Sequence, residues 1–233
     1  KMPEFVKKLN SGMTLTNSSG AFSDSFGEAG LTAMLYFSYN IYTYVDAMKN
    51  KNWNCPSSNK MLQNKKLWII GYGKNGVCLA KRAKNGFNMK ITGVVRTMRD
   101  NILGKEYVDE LYAIKDLPDK AINEADFIYA TLPSTPETVN IFDKNFFAKM
   151  NKGAVFINIG RGTAVVEDDI IFALDNNIIK GAVLDVTQKE PLEKESKLYN
   201  ISPTKLLITN HSLGVAIENR EKGLNFFVKC LEF

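Results

Sequence analysis

Residues 66–76 read KLWIIGYGKNG: an apolar run followed by glycines at positions 71, 73 and 76. A short apolar run closed by glycine reads as a buried strand, and residues 75–86 read as a helix. Gly71, Gly73 and Gly76 fit the G-x-G-x-x-G spacing between the two. The first glycine permits a tight turn, the second lets backbone approach a pyrophosphate, and the third packs the helix closely on the strand. The helix N-terminus then attracts the anion. Any tight turn uses glycine, so the spacing alone is weak. Here the context of strand, turn, helix and a further strand favours dinucleotide binding by Gly71, Tyr72, Gly73, Lys74, Asn75 and Gly76.

The same alternation continues outward. MKITGVV (89–95), DFIYATLP (126–133), GAVFINIG (153–160), GAVLDV (181–186) and KLLITN (205–210) read as strands. Helices are expected at 145–150, 166–177 and 215–232, with a helical or irregular piece between the second and third strands. Strands apolar throughout, alternating with helices, indicate an α/β fold with a doubly wound parallel sheet covered on both faces. Before this unit, MTLTN reads as a strand, and a long helix is expected from an N-cap at Asp24 to about Lys49. The polar stretch 50–66 connects it to the sheet.

About twenty residues after the glycine turn, a dinucleotide-binding unit places an acid that holds a ribose hydroxyl. This chain has GVVRTMR at 93–99, with no acid. Arg96 can pair its planar fork with a 2′-phosphate, with Thr97 and Arg99 assisting. Two arginines flanking a hydroxyl point to NADP, with NAD and a plain solvated arginine as the alternatives.

Composition bounds the function class. The 233 residues carry a net charge of +5, which suits an anionic small ligand and falls short of a nucleic-acid-binding balance. No apolar run approaches the roughly 18 residues of a membrane span. The three cysteines, Cys55, Cys78 and Cys230, are scattered, which favours a reducing, cytoplasmic setting over a disulfide framework. No metal site is expected. The aromatic-rich, charge-poor helix 24–49 suggests a homodimer interface, although burial within its own chain explains it nearly as well.

Ligands of open α/β sheets bind outside the carboxyl ends of the strands. Arg161 (in NIGRG), Asp185 and Glu190 (in LDVTQKEPL) and His211 (in ITNH) all follow such ends, so they can converge. Singly, each has a plain reading: a structural histidine, a salt bridge, a turn cap. Their joint placement favours a catalytic set.

GYGKNG, LPSTPETVNIF, NIGRG, LDVTQKEPL and ITNH, in that order, resemble the D-isomer-specific 2-hydroxyacid dehydrogenase family over nearly the whole chain. GVVRT followed by ATLPSTPETVNIFD is most similar to its glyoxylate/hydroxypyruvate reductase branch. The resemblance implies an NAD(P)-dependent reduction of a small 2-keto acid to the D-2-hydroxy acid. His211 would donate the proton, Glu190 would orient its imidazole and favour the protonated form, and Arg161 would bind the substrate carboxylate and polarise the carbonyl. It also implies that Asp185 contacts the nicotinamide end, and that Thr131, Leu132, Pro133, Thr138 and Gly160 border the cofactor. In domain terms it implies a Rossmann unit at 24–212, including the linking helix. Residues 1–23 and 213–233 would be remnants of a flavodoxin-like substrate domain. That domain's preceding segment would lie before Lys1, and the final return helix would be incomplete at Phe233. One departure stands out: the family's usual proline before the histidine is Asn210 here. Two other readings compete, an NAD-dependent hydroxyacid or phosphoglycerate dehydrogenase, and a nucleotide-sensing binding protein like the C-terminal binding protein corepressors.

Overall fold

The computed structural model describes residues 15–53 and 58–231. Its strands are β1 (Lys66–Ile70), β2 (Lys90–Val95), β3 (Glu110–Ala113), β4 (Phe127–Ala130), β5 (Val155–Asn158), β6 (Gly181–Leu184) and β7 (Leu206–Ile208). They form one sheet in the order β3-β2-β1-β4-β5-β6-β7, and every neighbouring pair is parallel. The helices are α1 (Ser23–Ser38), α2 (Ile41–Lys49), α3 (Lys74–Phe87), α4 (Asp119–Glu124), α5 (Lys144–Lys149), α6 (Glu167–Asp175) and α7 (Asn219–Leu231).

Strand side chains alternate between faces, so an apolar strand feeds two cores at once. In β1, Trp68 and Ile70 join a core built with Ile122 of α4, Phe147 of α5 and Ile170 of α6. Leu67 and Ile69 join the opposite core, with Met34 and Phe37 of α1 and Leu79 and Ala83 of α3. The expected doubly wound architecture is therefore present. Chain order reverses between β1 and β4, which lie side by side at the centre of the sheet. The loops leaving those two strands diverge there and open a crevice, the place where such folds hold ligands.

Several local expectations are corrected. The helix expected over 24–49 is two helices, because Asn40 takes a left-handed conformation (φ 48°) between α1 and α2. Asparagine is one of the few residues that tolerates that conformation. Asp24 is not the N-cap. It lies in the first turn of α1, where its carboxylate accepts from Arg82 at 3.1 Å and from Lys222 at 3.2 Å. The irregular piece after β2 contains the edge strand β3, and α7 begins at Asn219 after a turn. Of the expected strand MTLTN, residues 15–17 have no regular structure and the rest lies outside the described residues. Cys55 also lies outside them, while Cys78 and Cys230 are free thiols. No helix among the described residues is long and apolar enough to cross a membrane.

Candidate active site

The glycine turn forms one wall of a cleft of about 550 Å³. Gly71 has φ 98°, and a Cβ there would stand 2.8 Å from the Thr131 carbonyl oxygen. At Gly76 a Cβ would press on Ile69 at 2.8 Å, so α3 can lie this close to β1 only with glycine. Gly73 is different: nothing lies within 4 Å of its missing side chain. The position is open to the cleft, directly before a helix whose first N–H groups have no intrahelical acceptor. This is the surface that an approaching pyrophosphate requires.

Of the residues expected to border the cofactor, Gly71, Gly73, Lys74, Asn75, Thr131, Leu132, Pro133 and Gly160 line this cleft, together with Arg161. The Tyr72 side chain does not. It is buried under β2 and donates its hydroxyl to the Gly104 carbonyl at 2.7 Å, and that burial pushes the phenol well above its ordinary range. Lys74 and Asn75 fasten the opposite wall: Lys74 Nζ donates to Ser19 O at 2.9 Å, and Asn75 Oδ1 accepts from the Ser23 hydroxyl at 2.7 Å. Thr138 knots the loop after β4, donating to Pro133 O at 2.6 Å and accepting from Thr135 N at 2.9 Å. Asn17, Ser18, Ser19, Gly20, Phe22, Phe26 and Ile159 complete the cleft. Nothing local in the sequence marks the serine-glycine stretch at 18–20 as a wall of this cleft.

Arg96, Thr97 and Arg99 follow β2 and are exposed. Arg96 is paired: its Nη2 lies 3.2 Å from Oε1 of Glu137 in the loop after β4.

The remaining candidates gather around a second hollow of about 510 Å³, lined by Asp185, Thr187, Glu190, Tyr199 and His211 among others. His211 Nδ1 lies 2.8 Å from Glu190 Oε2, and the other carboxylate oxygen accepts from the Thr187 amide at 3.1 Å. Partial burial works to raise the Glu190 carboxyl. The hydrogen bond with His211, the Thr187 amide and the charges of His211 and Arg161 outweigh it, so the group ends below the usual carboxylate range. An ionised carboxylate only accepts, so Nδ1 carries a proton, which leaves Nε2 as the ring nitrogen outside this pair.

Asp185, expected at the nicotinamide end, fastens the turn after β7. It is 3% exposed, and its Oδ1 accepts from the Thr209 hydroxyl at 2.6 Å, Ser212 N at 2.9 Å and Leu213 N at 2.8 Å. Its carbonyl takes the His211 amide at 2.6 Å. The carboxylate thus ties down the turn that carries His211. In that turn Asn210 (φ 53°) and His211 (φ 55°) are both left-handed, a conformation closed to the proline that the family resemblance leads one to expect at position 210.

Arg161 lines the first cleft, with Nη1 on the Gly160 carbonyl at 2.6 Å. Its turn is held by buried Asn158, which donates to Arg161 O and accepts from Gly160 N, both at 3.1 Å. A Cβ on Gly162 would fall 1.9 Å from Thr187 O. The loops of Arg161 and Glu190 are therefore pressed backbone to backbone. Among the described residues no group of three or more His, Cys, Asp or Glu side chains could hold a metal ion.

Residues 31–212 match the family model for the D-isomer specific 2-hydroxyacid dehydrogenase, NAD binding domain. The chain belongs to this family. Among relatives of this dehydrogenase domain, a probable 2-ketogluconate reductase of Dictyostelium discoideum is 36% identical over 199 residues, covering 83% of this chain and 58% of that one. Glyoxylate/hydroxypyruvate reductase B of Klebsiella pneumoniae is 41% identical over 140 residues, 60% of this chain and 42% of its own. The chain thus spans about half the length of these curated relatives. Among solved structures, phosphoglycerate dehydrogenase of Lactobacillus plantarum aligns at TM-score 0.78 and 30% identity over 94% of this chain and 68% of that one. The NADPH-dependent glyoxylate/hydroxypyruvate reductase of Sinorhizobium meliloti, in complex with NADP and sulfate, aligns at TM-score 0.76 and 27% identity over 94% and 67%.

Proposed function

We propose that this chain serves an NAD(P)-dependent reductase of a small 2-keto acid of the glyoxylate or hydroxypyruvate type, yielding the D-2-hydroxy acid, with NADP as its cofactor. The reading rests above all on the His211–Glu190 pair, 2.8 Å apart at the carboxyl end of the sheet. The dinucleotide, when bound, supplies the hydride. The open backbone at Gly73 and the start of α3 fit its pyrophosphate. Arg96 fits a 2′-phosphate, and the Sinorhizobium relative's complex with NADP is consistent with that choice.

The chain's own residues divide the remaining work. Glu190 accepts the Nδ1 proton and fixes the ring, so that a proton held at Nε2 can pass to the forming alkoxide. Arg161, permanently charged, binds the substrate carboxylate and favours the polarised carbonyl. Asp185 and Gly162 hold the two loops in register. Assembly as a homodimer through α2 belongs to the same proposal. None of its residues is buried, and Ile41, Val45 and Met48 are exposed.

The test is NADPH oxidation with glyoxylate and with hydroxypyruvate by the purified protein, alongside His211→Gln. Turnover that falls by about 10²–10⁴-fold in the variant, with nucleotide affinity kept, supports the assignment. Equal turnover in the variant refutes it.

A further inference from the structure

Residues 93–99 at the end of β2 hold no acid, yet an acid from another loop meets Arg96 in space. Glu137 enters from the loop after β4 and places Oε1 3.2 Å from Arg96 Nη2. The backbone that carries it is fixed. The turn beneath it is closed by Thr138 Oγ1 on Pro133 O, and by Val139 N on Thr135 O at 3.1 Å.

We propose that Glu137 is the second half of the cofactor selector: its carboxylate accepts the ribose hydroxyls of NADH, while Arg96 takes the 2′-phosphate of NADPH. This deepens the reading of Arg96 given above and rests on it. The two side chains hold each other when no phosphate is present, and separate when one arrives. Both are largely exposed, 80% for Arg96 and 62% for Glu137. Breaking an exposed pair costs no more than about fivefold in an equilibrium constant, so a 2′-phosphate can displace the carboxylate. The Thr135 hydroxyl, the local backbone and the Arg96 charge together hold the Glu137 carboxyl below its ordinary range, so it is an anion at neutral pH. An anion there helps a hydroxyl and repels a phosphate. One residue thus acts in opposite senses on the two nucleotides, and a chain carrying both residues accepts both.

The experiment is equilibrium titration of NADPH and NADH with the purified protein, read by nucleotide fluorescence and by calorimetry, for wild type, Glu137→Gln and Arg96→Gln. Both sites are exposed, and melting curves confirm that each variant is folded. Glu137→Gln is expected to weaken NADH roughly three- to tenfold, a hydrogen bond to charge in a solvated setting, and to tighten NADPH roughly two- to fivefold. Arg96→Gln is expected to weaken NADPH at least about tenfold and to leave NADH nearly unchanged. If Glu137→Gln moves both nucleotides in the same direction, or neither, the Glu137 role is overturned while the Arg96 reading stands. If Arg96→Gln fails to separate the nucleotides, the NADP reading falls. A wild type that binds neither nucleotide overturns both.

Discussion

Asp185→Ala is the sharpest perturbation of the half of the site that carries His211. It removes the acceptor for the Thr209 hydroxyl and the amides of Ser212 and Leu213 from a position 3% exposed. Hydrogen bonds to a charged group contribute about 1.5–3 kcal/mol each, and each donor left buried without a partner costs about 1–3 kcal/mol. These terms share one atom and do not add, and losing the carboxylate also relieves its own desolvation. The expected net loss is about 2–4 kcal/mol, a fall in melting temperature of roughly 5–15 °C for a chain of this size. Asp185→Asn keeps an oxygen acceptor and loses only the charge, so about 1–2 kcal/mol is expected. Urea unfolding gives the stability. The second readout is nitrogen NMR of the imidazole, which is unambiguous because His211 is the only histidine in the sequence. In wild type the neutral ring should carry its proton on Nδ1, facing Glu190. In Asp185→Ala the turn is released and that tautomer should be lost. An alanine variant within about 1 kcal/mol of wild type that keeps the Nδ1–H ring would refute the role assigned to Asp185.

Three further outcomes follow from the same geometry. Gly73→Ala should leave the melting temperature unchanged, since its Cβ meets nothing within 4 Å, yet weaken nucleotide binding at least about tenfold by blocking the backbone approach; scanning calorimetry reads the first and a calorimetric titration the second. Asn210→Pro cannot keep φ at 53°, so it should displace His211 and lower turnover at least about tenfold, whereas Asn210→Gly should retain most of it; a fully active proline variant would mean the left-handed turn is not needed. The folded Glu190 carboxyl lies below its unfolded value, so the stability it contributes is present above that unfolded value, about 4.3, and is lost as pH falls through the lowered folded one. Carbon NMR of its carboxyl between pH 2 and 6 reads this directly, and the depression should shrink in His211→Gln.

The sheet was legible from β1 outward because its strands are buried on both faces, and that burial leaves continuous apolar runs in the sequence. The exception is β3, an edge strand whose Glu110 is exposed while Leu111 and Tyr112 are only half-buried; one-sided burial over four residues leaves no such run. The break at Asn40 escaped because asparagine is as acceptable inside a weak helix as at a left-handed junction, and only packing decides between them. The placements of Glu190 and His211 were legible because strand ends converge in a parallel sheet whatever the intervening sequence. The role of Asp185 was not, because its partners 24 to 28 residues onward depend on how a turn folds over it. Nor was the Arg96–Glu137 contact, made across 41 residues between loops of different strands.

These misses share a cause that separates the two halves of the site. The cleft at the glycine turn is shaped largely by backbone: Gly71, Gly73 and Gly76 act through what they lack, and missing side chains are visible in a sequence. The half that carries His211 is set by one buried carboxylate and by contacts between loops, such as Gly162 against Thr187, and a sequence does not display which loops touch. The halves should therefore fail independently. Asp185→Asn should bind NADPH as tightly as wild type while its turnover falls at least about tenfold, because no residue of the glycine turn leans on Asp185 and the His211 turn does. A parallel loss of nucleotide affinity in that variant would show instead that Asp185 reaches the cofactor, as the resemblance alone implied.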